Sequence, residues 1–228
     1  MRAIIIANHA DADGGVVAER LGELGWELSL WNREDARDWS HLPEDIGLVV
    51  PLGSDWSVYW EDVAAFVAGE ARVLRDAHER GTPIFGICFG AQMLAHALGG
   101  RVERAATPEI GWYPVAADRE NGSIFGQNPW FQWHYDRFIP PPGATELAVG
   151  PQGCQAFLLG SSLGVQFHPE ITPTIVERWS SGPGAEELAR IGRQPSVLAA
   201  ETDSHAHVSA SAARRLVDWF IEHCVTVL

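Results

Sequence analysis

The sequence predicts an α/β fold built on a mostly parallel sheet covered by helices. Three observations carry this. Short β-type runs alternate with amphipathic helical segments through much of the chain. Two apolar runs, Ile84–Ile87 and Gly164–His168, lead into polar clusters, and the carboxyl ends of parallel strands gather at one edge of a sheet. The length of 228 residues suits one large domain over 1–228, able to bury its core without disulfide or metal.

Taken in order, Ala3–Ala7 reads as a buried strand and His9–Gly15 as a loop. Val17, Leu21 and Leu24 then recur at helical spacing, with Gly25 as the stop. Glu27–Trp31 and Leu48–Pro51 read as the next strands. The loop Leu52–Tyr59 precedes a long helix with Val63, Phe66, Val67, Leu74 and Ala77 on one side. Gly81-Thr82-Pro83 breaks it, and Pro83, which cannot donate to a ladder, fits the start of the strand Ile84–Ile87. Gly90–Leu98 follows as a helix ended by Gly99-Gly100. Further on, Ile110–Val115, Leu147–Val149, Ala156–Leu159 and Gly164–His168 are strand candidates. Ile171 to His207 has no clear period, and a last helix is expected from about Ser209, with Ala213, Leu216, Val217 and Phe220 inward.

Composition narrows the function. The net charge of −14 leaves no basic footprint for nucleic acid. No apolar stretch is long enough for a bilayer, and Asn8-His9 with an acidic loop follows the first apolar run where a signal peptide would carry its cleavage site. Three cysteines without regular spacing argue against a disulfide framework and fit a reducing cytoplasm. No tight ligand cluster suggests a metal.

The chemistry concentrates in two stretches. In Gly86-Ile87-Cys88-Phe89-Gly90 an apolar strand meets a helix at a cysteine flanked by glycines. This is the logic of a nucleophile elbow. The glycines permit the turn, the helix N-terminus favours a thiolate, and the Phe89 N–H is free to donate to an oxyanion. A lone free cysteine is commonly a buried structural residue, which remains the reading for Cys154 and Cys224. The second stretch is His168-Pro169-Glu170. A cysteine nucleophile needs a base, His168, and a third group, Glu170, to hold the imidazole. His-Pro-Glu alone is a weak signal among nine histidines; beside the cysteine elbow it gains force.

Gly86-Ile87-Cys88-Phe89-Gly90-Ala91-Gln92 resembles the G-x-C-x-G-x-Q signature of class I glutamine amidotransferases, and Gln166-Phe167-His168-Pro169-Glu170 their Q-F-H-P-E signature. Glu109–Val115 and Trp133-His134-Tyr135-Asp136 are similar to stand-alone proteins like the glutaminase domain of GMP synthase. The resemblance spans nearly the whole chain. It implies a doubly wound, flavodoxin-like sheet with helices on both faces. It also implies hydrolysis of glutamine to glutamate and ammonia through a γ-glutamyl thioester, with no cofactor and with a synthetase partner as possible ammonia acceptor. Gln92, His134 and Asp136 are then the expected substrate-binding residues.

One stretch departs from the family pattern. Where the family reads Gly-Gly-Pro, this chain has Gly53-Ser54-Asp55. The N–H groups of Gly53 and Ser54 remain candidates for the oxyanion hole with that of Phe89. A left-handed backbone would be costly at Ser54, and Asp55 adds negative charge beside the site. The alternatives are a hydrolase of γ-glutamyl peptides or conjugates and a non-catalytic binding module. Protease-like relatives place a histidine directly after the cysteine, where Phe89 stands.

Overall fold

The computed structural model describes residues 1–117 and 122–225. The chain runs β1 (Arg2–Ala7), α1 (Gly15–Glu23), β2 (Glu27–Asn32), β3 (Ile46–Pro51), α2 (Ala64–Glu79), β4 (Ile84–Ile87) and α3 (Phe89–Ala97). It continues through β5 (Arg101–Tyr113), β6 (Ala116–Ala117), α4 (Gly122–Phe125), β7 (Trp130–Ile139), β8 (Thr145–Gly150), β9 (Gly153–Leu159) and β10 (Ser162–Val165). Helices α5 (Pro173–Trp179), α6 (Pro183–Arg190) and α7 (Pro195–Cys224) close the described chain.

The main sheet has the order β2-β1-β3-β4-β10-β9-β8-β6. From β2 to β10 the strands are parallel, and β9, β8 and β6 extend the sheet antiparallel. The period-2 alternation of a strand sends successive residues to opposite faces. In β1, Ala3, Ile5 and Ala7 join one core with α1 and α7, whereas Ile4 and Ile6 join the other with α2 and α3. Helices therefore cover both faces, as a doubly wound sheet requires. Among the described residues no helix is long and apolar enough to cross a membrane.

Three elements differ from the sequence expectation. The strand expected over Gly164–His168 ends at Val165, because the chain then leaves the ladder and the His168 N–H bonds to the Phe131 carbonyl at 2.8 Å. The segment carrying His134 and Asp136 is strand β7, which pairs antiparallel with the long β5 in a separate ribbon. The last helix begins at Pro195, well before Ser209, with proline in its first turn, where the lost N–H costs nothing. Its early turns bury only Leu198 among their apolar residues, leave Val197 exposed, and are tied down by Leu198 in a third, smaller core and by a Trp112 Nε1–H bond to Thr202 at 3.1 Å.

Candidate active site

Each of the five parallel strands delivers one residue to the same edge of the sheet. Asn8 follows β1, Arg33 follows β2, Gly53 lies beyond β3, Cys88 follows β4, and His168 lies beyond β10. Cys88 is the only non-glycine among the described residues with positive φ, at φ 51 and ψ −109. Such a backbone is sterically unfavourable and persists only where its surroundings impose it. Here the Cys88 N–H bonds to Val165 at 2.8 Å and its carbonyl accepts from Gln92 N at 3.0 Å. A Cβ at Gly90 would sit 1.9 Å from the Pro51 carbonyl oxygen, and one at Gly86 would lie 2.8 Å from that of Gly90. The glycines around the elbow are therefore fixed by close backbone approach.

His168 is buried, with Nδ1 2.7 Å from Glu170 Oε1. The Nδ1–H donates to the carboxylate, which leaves Nε2 without a hydrogen-bond partner among the described residues. Burial works against charge on His168, and the Glu170 carboxylate together with Cys88 more than offsets it, raising its pKa well above the usual histidine value. Trp179 packs edge-on against the imidazole at 4.8 Å between ring centroids. Gly53 touches both partners: a Cβ there would lie 3.1 Å from His168 Cε1 and 3.7 Å from Cys88 Cβ. Cys88 Sγ is 3.8 Å from both the Trp133 carbonyl oxygen and Gln166 Nε2. Cys154 and Cys224 are also free, but burial pushes both thiols up, Cys224 to about 11.

The Gly53-Ser54-Asp55 loop adopts no left-handed residue, so the strain expected at Ser54 does not arise. The Ser54 hydroxyl accepts from Trp56 N at 3.1 Å and closes a local turn. Among the described residues, no hydrogen bond occupies the N–H of Gly53, Ser54 or Phe89. If Ser54 serves through its amide, Ser54→Gly keeps turnover within about fivefold, whereas Ser54→Pro loses roughly a hundredfold, the scale of one oxyanion donor. Steady-state assays of the two variants decide this, and a large loss in Ser54→Gly assigns the work to the hydroxyl.

Gln92, His134 and Asp136 gather beside Cys88, all buried. Gln92 Nε2 donates to the Asp136 carbonyl at 3.2 Å, and His134 Nδ1 is 2.9 Å from the same oxygen. His134 Nε2 lies 3.1 Å from the Glu109 carboxylate. The Asp136 carboxylate accepts from Ser57 and from Tyr59 at 2.8 Å, tying the loop after Asp55 to β7. Arg104 reaches Asp136 at 3.6 Å and lies over the Tyr135 ring.

Two cavities meet at Cys88, and Ser54, Asp55 and Trp133 line both. The smaller, of about 80 Å³, holds Gln92, Arg104 and Asp136. The larger, of about 490 Å³, is walled by Asp11, Trp179, Glu187 and Arg190. Arg33, which the sequence reading did not single out, sits fully buried behind the Gly53 loop, paired with Glu70 at 2.8 Å. Its only sequence signal is indirect: Glu70 falls within the apolar stripe of α2, between Val67 and Leu74.

A strained cysteine elbow, a buried His–carboxylate pair and loop amides without hydrogen-bond partners among the described residues thus meet at one edge of a doubly wound sheet. Residues 16–178 match the family described as Glutamine amidotransferase class-I, and the chain belongs to that family. It is similar to GMP synthase [glutamine-hydrolyzing] of Aeropyrum pernix, with 30% identity over 212 residues covering 86% of this chain and 39% of that protein. It is also similar to the Thermus thermophilus protein of the same description, 40% identical over 102 residues, 41% of this chain and 20% of that one. The chain thus spans well under half of these relatives. Among solved structures, a glutamine amidotransferase from Thermotoga maritima superposes with a TM-score of 0.86 at 28% identity, covering 97% of this chain and 98% of that one.

Proposed function

We propose that this protein hydrolyses the side-chain amide of glutamine, releasing glutamate and ammonia. The observation that carries the reading is the Cys88 thiol beside the His168–Glu170 pair, with unoccupied loop amides next to both. The Cys88 thiolate attacks the γ-carbonyl carbon, and the N–H groups of Gly53, Ser54 and Phe89 receive the oxyanion. Protonated His168 gives its Nε2 proton to the leaving nitrogen, and ammonia departs. Neutral His168 then takes a proton from water, the resulting hydroxide opens the thioester, and glutamate leaves with Cys88 regenerated. No cofactor is required by these steps.

The small cavity suits the amino-acid head of the substrate, since Arg104 can meet a carboxylate and Asp55 an ammonium. Gln92 and His134 fix its wall, and Asp136 holds Arg104. The GMP synthase relatives support a further reading in which the ammonia passes to a synthetase partner. A second substrate reading rests on the larger cavity, which at about 490 Å³ exceeds what ammonia needs: γ-glutamyl conjugates with a bulky leaving amine.

The test measures glutamate released from glutamine and from several γ-glutamyl dipeptides, in chelator and without nucleotide. Glutamine is expected to turn over. Dipeptides turning over far better would install the conjugate reading. No release from any of them, with or without synthetase partners, would leave a binding module.

A further inference from the structure

We infer that Arg33 is a positioning residue that builds the oxyanion hole from behind, by gripping the two carbonyls whose peptide units carry its loop amides. This rests on the amide-hydrolase reading. The Arg33 side chain has no exposed surface. Its Nε donates to Glu70 at 2.8 Å and its Nη1 to Asn8 Oδ1 at 2.6 Å, so two side chains fix the guanidinium plane. Backbone is reached by Nη2 at the Leu52 carbonyl, 3.0 Å away, and by Nη1 at the Gly53 carbonyl, 3.2 Å away, while Nη2 makes longer contacts to Glu70 Oε1 at 3.4 Å and the Ile6 carbonyl at 3.5 Å. The Leu52 carbonyl shares a peptide with the Gly53 N–H, and the Gly53 carbonyl with the Ser54 N–H.

In a trans peptide the C=O and N–H point to opposite sides. Two successive carbonyls drawn onto one cation therefore turn both N–H groups away from it; neither N–H has a hydrogen-bond partner among the described residues, and Gly53 itself lies beside Cys88 and His168. The same guanidinium lies 4.8 Å from the Phe89 ring centroid, against the residue that carries the third amide. A planar fork can hold two carbonyls and a carboxylate at once, which a single ammonium cannot. The charge also polarises both peptide units in the direction that favours an anion at their N–H ends. Ser54 and Asp55 can then replace the family's second glycine and proline, because the loop's shape is set by the guanidinium rather than by those side chains.

Arg33→Lys keeps a cation for Glu70 but loses the fork. The double variant Arg33→Met/Glu70→Met removes both charges, so neither is left buried alone. In each, kcat for glutamine should fall roughly ten- to a hundredfold with KM within about twofold, as for loss of a contact made only in the transition state. Alkylation of Cys88 by iodoacetamide should stay within about twofold, because displacement at a saturated carbon builds no oxyanion. The Gly53 and Ser54 amide resonances of the free protein should shift in Arg33→Lys while that of remote Gly81 stays put. Turnover within about twofold of the parent in both variants would overturn the assignment, as would alkylation slowing in step with turnover. If the unmodified protein hydrolyses no γ-glutamyl amide, the reaction reading fails. Arg33 is then judged on the resonances alone, and unmoved Gly53 and Ser54 amides overturn it.

Discussion

Replacing His168 with alanine is expected to lower glutamine turnover by about a thousandfold or more, the scale of losing a triad member. The His168 imidazole lies against the Gly53 loop beside Cys88, and an imidazole can both take a proton and return it to the leaving nitrogen. Its Nδ1 is committed to Glu170, so the work falls to Nε2. Glu170→Gln should hurt less, since an amide can still accept from Nδ1–H. It should instead move the pH profile. Burial opposes the charge on His168, and Glu170 with Cys88 holds it in place, with the pKa raised well above the ordinary value. Removing the carboxylate charge lowers that pKa, so the alkaline limb of kcat should move to lower pH. Steady-state rates across pH for both variants are the measurement, and near-normal turnover in His168→Ala would take His168 out of the mechanism. A diazo-ketone analogue of glutamine should label Cys88 alone in the parent protein, with Cys154 and Cys224 held as thiols.

Gly90→Ala is expected to be as damaging, for a steric reason. The added methyl would lie 1.9 Å from the Pro51 carbonyl oxygen and 3.0 Å from the Pro51 side chain. Neither atom is the far end of a flexible side chain, so β3 and the start of α3 must separate. The cost is on the order of 3 kcal/mol or more, at the upper end of overpacking. The damage also reaches chemistry, because Pro51 leads directly into the Gly53-Ser54 loop. Thermal unfolding should show a clear loss of stability, and the surviving folded fraction should label poorly at Cys88. A variant of parental stability and reactivity would show that the elbow has slack that the close approach denies.

The inner parallel strands were legible because β1, β3 and β4 are buried on both faces and read as near-continuous apolar runs. β4 and the helix after Cys88 fell where expected for that reason. Of the ribbon only the end of β5, within the expected strand Ile110–Val115, was legible, because β7 inverts the usual alternation. Its buried positions include Gln132, His134 and Asp136, while Trp133 and Tyr135 on the other side are only partly covered. Hydrophobicity then carries no period-2 signal, and polar burial shows only in the partners Gln155, Gln92 and Glu109. The early turns of α7 were equally silent, since Thr202 and Ser209 are buried where apolar residues would mark a face. At the candidate site, Cys88, His168 and Glu170 stand out in the sequence because a glycine-flanked cysteine at a strand-to-helix junction and a His-Pro-Glu turn are local patterns, and the structure places the two stretches side by side. Arg33 was not, because Asn32-Arg33-Glu34-Asp35 reads as a solvated charged turn, and only the fold brings Glu70 to it.

The sheet order also bears on how the elbow is assembled. β4 is flanked by β3, its near neighbour in sequence, and by β10, which joins it only after the ribbon and the antiparallel strands have been laid down. Closing so long a loop is entropically unfavourable until its contacts form. Non-local pairings of this kind slow folding. The Cys88 N–H finds its partner on Val165, and the Glu170 carbonyl finds Val16 N at the head of α1, so the elbow and the base are anchored by segments from both ends of the chain. The first four strands alone contain neither Val165, which accepts from the Cys88 N–H, nor the His168–Glu170 pair. The shape of the elbow is in this sense a property of the whole topology rather than of the local turn.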